Sequence, residues 1–175
     1  MKYFLIETNK RNHIPYSINS NRAVDVRYAN RQDSHKIPDC CIVSMKTPME
    51  VFFPDILTEP FLMVSDTVAD VMEMYAPDTS FKTIYLLEKE TRMYQTYFMP
   101  FLEEADCLSE KTKRSRGGTE LLEIVLREEV VRRKPVFRVA GFTHVYLICN
   151  LEFIESALRR NIRGIRLKEI EVEAE

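Results

Sequence analysis

Apolar positions recur in this chain with two periods that alternate along it. A short apolar run over residues 61–64 is followed by Ser65, then by Val68, Val71, Met72 and Tyr75 at i, i+3, i+4 and i+7. After Pro77 a second apolar run covers residues 81–87. The same order returns later: an apolar run over residues 145–149, Asn150, a helical stretch over residues 151–160, Gly164, and an apolar run over residues 165–172. The i, i+3, i+4, i+7 spacing predicts an amphipathic helix, and the flanking runs predict strands. Ser65 and Asn150 are residue types that accept from the free amides of a first helical turn. Asp66 begins the first helix, while Glu152 and Glu155 precede Arg159 and Arg160 in the second, the charge order the helix dipole favours. Pro77 and Gly164 are expected to end the two helices. Leu151, Ile154 and Leu158, helped by Ala157, are assigned to the buried stripe of the second.

Further strands are expected at residues 1–7, 24–28, 42–45, 51–53 and 137–139. A hairpin is expected over residues 82–89 and 92–101, bending at Glu90-Thr91, and a half-buried strand where Leu122, Ile124 and Leu126 alternate with Glu123, Val125 and Arg127. In the last strand Ile165 and Leu167 share one parity while Ile170 and Val172 share the other, which predicts a bulge near Lys168-Glu169. Residues 8–48 hold five asparagines and few apolar runs, and are the least regular part. The fold expected is α+β: a mostly antiparallel sheet with two short helices packed on one face. One domain over residues 1–175 is expected, with a less regular segment at 8–48 and, at 50–172, the core that carries the family resemblance given below.

Composition adds limits. At 175 residues and 45% hydrophobic, the chain can bury a sizeable core. Its four cysteines lack the density of a disulfide scaffold. No apolar run approaches the ~18–20 residues of a membrane span, and the first apolar stretch is short for a signal peptide, so a cytoplasmic location is expected. The net charge of −2 is uneven: residues 1–48 carry +4, residues 49–109 carry −9, residues 110–138 carry +4 and residues 139–175 carry −1. An acidic middle third can steer a cationic partner.

No residue pattern makes a convincing catalytic, cofactor or metal site. Adjacent Cys40-Cys41, near His35 and Asp39, lack the Cys-x2–4-Cys spacing of a zinc site. His13, His35 and His144 lie on separate segments, and four glycines leave little for a phosphate cradle. The Glu-x-Glu series of residues 169–175 looks like the acidic signature of ADP-ribosyltransferases, and equally like the solvated face of a terminal strand. The basic loop over residues 111–118 has no aromatics for nucleic-acid stacking and reads as solvated.

One ordered set of features carries a resemblance. Pro54-Asp55-Ile56 precedes Pro60-Phe61-Leu62-Met63-Val64-Ser65 and its helix, then Tyr75-Ala76-Pro77-Asp78; a tyrosine-rich hairpin leads to Asp106-Cys107-Leu108; Val136-Phe137-Arg138, the second helix and Gly164 follow. Over residues 50–172 this resembles the eleventh class of bacterial polymorphic-toxin immunity proteins. The resemblance implies a non-catalytic protein that neutralises a cognate protein toxin by binding it, without cofactor, nucleic acid or membrane. A cationic toxin would meet the acidic third, and Asp66, Asp70, Glu73, Glu103 and Glu104 are the expected contact residues. The alternatives are a small-molecule-binding or enzymatic domain, and a module that self-associates by an edge strand.

Overall fold

The structure is a computed structural model that describes residues 1–174. In chain order the elements are β1 (Tyr3–Thr8), β2 (Cys40–Ser44), β3 (Ile56–Leu57), β4 (Met63–Val64), α1 (Asp66–Tyr75), β5 (Ser80–Glu88), β6 (Met93–Phe101) and β7 (Glu104–Ala105). They continue with β8 (Lys113–Arg114), β9 (Leu121–Glu123), β10 (Val125–Arg127), α2 (Glu128–Val131), β11 (Val136–Val139), β12 (Leu147–Asn150), α3 (Leu151–Arg159) and β13 (Ile165–Glu173). The chain is α+β. Its strands form a six-stranded sheet, β10-β13-β1-β12-β11-β7, a five-stranded sheet, β2-β5-β6-β4-β3, and the β8-β9 ribbon.

Both large sheets are mixed, which corrects the expectation of one mostly antiparallel sheet. The pairs β2–β5, β7–β11 and β10–β13 are parallel. Long connections bring these strands together, and periodicity carries no information about them. The helices also divide. α1 and α3 share an apolar cluster on one face of the six-stranded sheet, with Ile6, Leu147, Val68, Met72, Phe153 and Ile154 in its centre. α2 contributes Val131 to a second cluster on the opposite face, with Tyr3, Phe137 and Ile148.

Cover on both faces explains the parity change in the last strand. β13 pairs with β1 in unbroken register from Thr8↔Ile165 to Tyr3↔Ile170, so no bulge intervenes. Ile165 and Leu167 pack toward α1 and α3, whereas Ile170 and Val172 face the α2 side. The parity switch is a change in which face needs apolar cover. β1 needs both at once, hence its nearly continuous apolar sequence.

The first helix matches its expected bounds: Ser65 Oγ accepts from Val68 N at 3.4 Å, and Val68, Ala69, Val71 and Met72 are buried. In α3 the cap is as expected and the stripe is so in part: Ile154 and Ala157 are buried, Leu151 and Leu158 are not. Asn150 Oδ1 accepts from Phe153 N at 2.9 Å, but Phe153, Ile154 and Ala157 are the buried residues, while Leu151 and Leu158 are 37% and 46% exposed. The phase follows from Phe153, which enters the cluster edge-on to Tyr75 with ring centroids 5.7 Å apart. The helix stops at Asn161 rather than Gly164, because Asn161 already takes a left-handed backbone at φ +60.

The irregular segment at residues 8–48 forms the cover of the five-stranded sheet. Val24 and Ile37 are buried against Val43, Ile84, Leu86, Tyr97 and Met99. The expected strand at 24–28 is instead a 3₁₀ turn over Val26–Tyr28, because Asp25 Oδ1 accepts from Arg27 N at 3.1 Å and bends the chain. Residues 51–53 form no ladder. The alternation around Leu122 breaks into β9 and β10, leaving Leu122 61% exposed. Arg31 fastens the segment to the sheet by donating from Nε to the Phe101 carbonyl at 3.0 Å.

The asparagines of this segment finish the edge of the five-stranded sheet. Asn21 Oδ1 accepts from Ser44 N at 3.1 Å, and its Nδ2 donates to the Ile42 carbonyl at 3.0 Å, as a neighbouring strand would. The backbone amide of Asn19 donates to the Ser44 carbonyl at 2.8 Å. Edge strands left bare invite pairing with other chains. Asn21→Ala is expected to cost only about 1 kcal/mol of stability, since the freed groups meet water. Its larger effect is concentration-dependent self-association, read by sedimentation velocity. A variant that stays as dispersed as the parent would show that Asn21 does not guard this edge.

Candidate functional site

The five acidic residues expected at a partner surface fall into two groups. Asp66, Asp70 and Glu73, at i, i+4 and i+7, are exposed on the outer side of α1 and make no ion pair among the described residues. Glu103 and Glu104 sit at β7, at the edge of the other sheet, and are committed within the chain. Glu103 pairs with Lys134, and Glu104 lies 3.8 Å from Arg138.

Arg138 is 7% exposed, and its Nη1 donates to the Ala29 carbonyl. Burial holds its pKa below the usual guanidinium value, against the pull of Glu104. Its Nε has no hydrogen-bond partner among the described residues. The residue anchors the irregular segment to β11, and Glu104 supplies its counter-charge.

The five-stranded sheet has one face closed and the other half open. Cys41, Val43, Ile84, Leu86 and Tyr97 point into the cluster beneath the irregular segment. On the opposite face Val64 and Phe98 are direct partners under α1. Beyond them nothing covers the strands among the described residues. There Ile42, opposite Tyr85, is 60% exposed, Tyr85 is 37% exposed, and Tyr94 is 63% exposed. Tyr94 stands opposite the half-buried Leu87, and Tyr85 opposite Thr96. The result is an aromatic and aliphatic strip on the open sheet face, with the acidic helix packed on the same face.

Ile42, Tyr85 and Tyr94 are not among the residues expected at a partner surface. A signal was present: residues 81–87 are apolar on both parities, with Phe81, Tyr85 and Leu87 on one and Ile84 and Leu86 on the other. A strand apolar on both sides is either covered twice or keeps one side for a partner.

The candidates for chemistry stay apart. Cys40 and Cys41 are neighbours on a strand and so face opposite sides, one exposed and one buried. All four cysteines are free thiols; burial pushes the Cys107 thiol up to about 11 and that of Cys149 higher still. His35 lies in a 3₁₀ turn, His13 in the loop whose carbonyl accepts from Phe52 N, and His144 just before β12. Among the described residues no group of three or more His, Cys, Asp or Glu is placed to hold a metal ion.

The basic loop is a folded ribbon, and part of its charge is paired locally. Lys111 pairs with Glu173 at 2.6 Å, Lys113 pairs with Glu123, and the Arg114 guanidinium lies 5.6 Å from the centroid of the Phe142 ring. Of the Glu-x-Glu tail, residues 169–173 belong to β13, with Glu169 paired to Lys2 and Glu173 to Lys111, and Glu175 lies outside the described residues. No helix among the described residues is long and apolar enough to cross a membrane. No family model matches the chain, and no curated protein sequence matches it.

Proposed function

We propose that this chain is a binding protein of the immunity type, cytosolic and without chemistry of its own, which neutralises a cationic protein toxin by occupying its surface. The observation that carries this reading is the open strip of Ile42, Tyr85 and Tyr94 on the sheet face that α1, with its exposed carboxylates, also packs against. Tyrosine and isoleucine on a rigid sheet supply apolar contact area at little conformational cost, and tyrosines are frequent anchors of interface energy. Asp66, Asp70 and Glu73 add a negative field on the same side of the molecule, which speeds encounter with a positive partner and favours it over others. Asn21 seals the adjoining edge, so docking is by the face of the sheet rather than by strand addition. Of the five acidic positions, those on α1 form no ion pair among the described residues, while the exposed Glu103 and Glu104 also support the fold around Lys134 and Arg138.

The test captures a partner from native extract with the tagged chain, then expresses that partner with and without this protein. The wild-type chain is expected to restore growth, with binding that weakens as salt rises. Tyr85→Ala is expected to weaken binding by about thirtyfold, the effect of losing a ~2 kcal/mol anchor. Asp70→Lys is expected to slow association chiefly, and to flatten the salt dependence. Binding unaffected by both substitutions would overturn this surface, and a partner harmless on its own would overturn neutralisation.

A further inference from the structure

A concave region occurs where the end of β1, the loop after it, the β3–β4 turn and the residues preceding β12 converge. Two adjoining hollows of about 610 and 620 Å³ share Thr8, Lys10, Thr58, Glu59 and His144. Each is within the size range of small-molecule sites, and junctions between sheets are common places for them. Its residues do not belong to the strip on the five-stranded sheet or to α1, and the docking role leaves it unexplained.

The floor is set in advance. Thr8 and Thr58 are buried, and Thr8 Oγ1 donates to the Ile56 carbonyl at 3.0 Å while accepting from Thr58 N at 3.0 Å. Thr58 Oγ1 lies 3.3 Å from Thr8 Oγ1. Because the single Thr8 proton is used on Ile56, Thr58 either donates to Thr8 or turns its proton into the cleft. One side of the cleft is apolar, walled by Ile14, Ile18, Leu57 and Pro60.

The other side is charged and unbalanced. Lys10 Nζ lies 3.0 Å from Glu59, and Arg166 Nε donates to Glu7 at 3.1 Å. These pairs cancel. Arg11 also lines the cleft and forms no ion pair among the described residues, which leaves one positive charge in excess. His144 stands where the two hollows meet, its ring 4.6 Å from that of Tyr146 and its nitrogens without a hydrogen-bond partner in the described chain. An apolar wall, a preset hydroxyl floor and a single surplus guanidinium define the ligand. It has an apolar body and one negative charge.

We propose that this cleft binds a small organic monoanion, an aromatic or branched aliphatic carboxylate, with its body against Ile14, Ile18 and Leu57 and its carboxylate toward Arg11. The site adds a small-molecule input to a protein whose other surface engages a protein, and it stands whether or not that docking reading holds.

The test follows backbone amide shifts of the full-length chain during titration with 3-phenylpropionate and, separately, with neutral 3-phenylpropionamide. The acid is expected to bind saturably at millimolar concentration or below, with shifts centred on residues 8–18, 57–60 and 143–144. The amide is expected to bind about tenfold more weakly, the effect of losing one charge-assisted contact. Arg11→Gln should weaken the acid by a similar factor and leave the amide unchanged, whereas Ile14→Glu should weaken both. Both positions are at the surface, and the dispersion of the same spectra reports whether each variant is folded. Equal binding of acid and amide would overturn the anion assignment. Shifts centred elsewhere, or no saturable shift with the acid, would overturn the site.

Discussion

Gly164→Ala is expected to destabilise the protein by about 3 kcal/mol or more, one of the largest effects of any single methyl group added to this chain. Two independent causes act together. Gly164 has φ +79, where an L side chain meets its own backbone, at a cost of about 1 kcal/mol. Its Cβ would also lie 2.6 Å from Phe52 Cε1, 2.6 Å from Pro54 Cβ and 2.8 Å from Pro54 Cα. The ring of Phe52 can turn aside, but Pro54 Cα is backbone and cannot. That backbone is held on both sides: Asp55 N donates to the Arg163 carbonyl at 2.9 Å, Arg163 N donates to Asp55 Oδ2 at 2.6 Å, and Tyr97 donates its hydroxyl to the Pro54 carbonyl at 2.6 Å. Relief of the overlap would pull on β1 as well, since Asn9 N donates to the Gly164 carbonyl at 2.8 Å. For a chain of this length the loss corresponds to a fall of roughly 6–12 °C in Tm. Gly141→Ala separates the causes. Gly141 has φ +85 with no atom within 4 Å of its would-be Cβ, so only the backbone cost applies, about 1 kcal/mol. Thermal unfolding of the two variants decides: equal losses would show that the contact with Pro54 yields without cost.

The role of Gly164 shows where sequence reading succeeds and where it stops. A glycine after a helix was read as the helix stop, but Asn161 does that work, and Gly164 is required by residues more than a hundred positions away. Local signals were legible. The caps at Ser65 and Asn150, the hairpin over β5 and β6 and the bounds of α1 follow from contacts between near neighbours, and the sequence of those neighbours specifies them. Pairing was not legible. β1 lies between β12 and β13, and β2 lies against β5, so residues before 50 supply a central strand of one sheet and an edge strand of the other, which periodicity does not reveal. The asparagines of the irregular segment gave no sign of their purpose, because Asn21 completes hydrogen bonds of a strand 23 residues away. Of the candidate surface, three carboxylates on α1 were found by helical spacing. Glu103 and Glu104 were found by charge alone, which does not reveal that Lys134 and Arg138 already hold them. The strip of Ile42, Tyr85 and Tyr94 was hidden because an apolar residue on a strand reads as core unless its cover is known.

Phe153→Ala is expected to cost about 4 kcal/mol, while Leu158→Ala on the same helix should change stability by no more than about 0.5 kcal/mol. The helical spacing placed Leu158 in the buried stripe and left Phe153 unassigned. Phe153 has no exposed surface and sits in the cluster that joins α1, α3 and the six-stranded sheet, so its removal leaves a cavity that several rigid elements must share. The edge-to-face contact with Tyr75 adds about 1 kcal/mol to the area term. Tyr75 also donates its hydroxyl to the Glu152 carbonyl at 3.3 Å, so the two helices are joined by both contacts and loosen together. Leu158, 46% exposed, gives up little on truncation. Urea unfolding of both variants with an unchanged m-value would measure the difference. The consequence reaches the proposed surface, since α1 carries Asp66, Asp70 and Glu73 and is positioned by this cluster. At a temperature where Phe153→Ala is still folded, its partner affinity is expected to fall through a slower association rate, as a less fixed α1 presents its charges less coherently. A large effect of Leu158→Ala with a small one of Phe153→Ala would reverse the assignment of the buried face of α3, and with it the placement of α1 against the sheet.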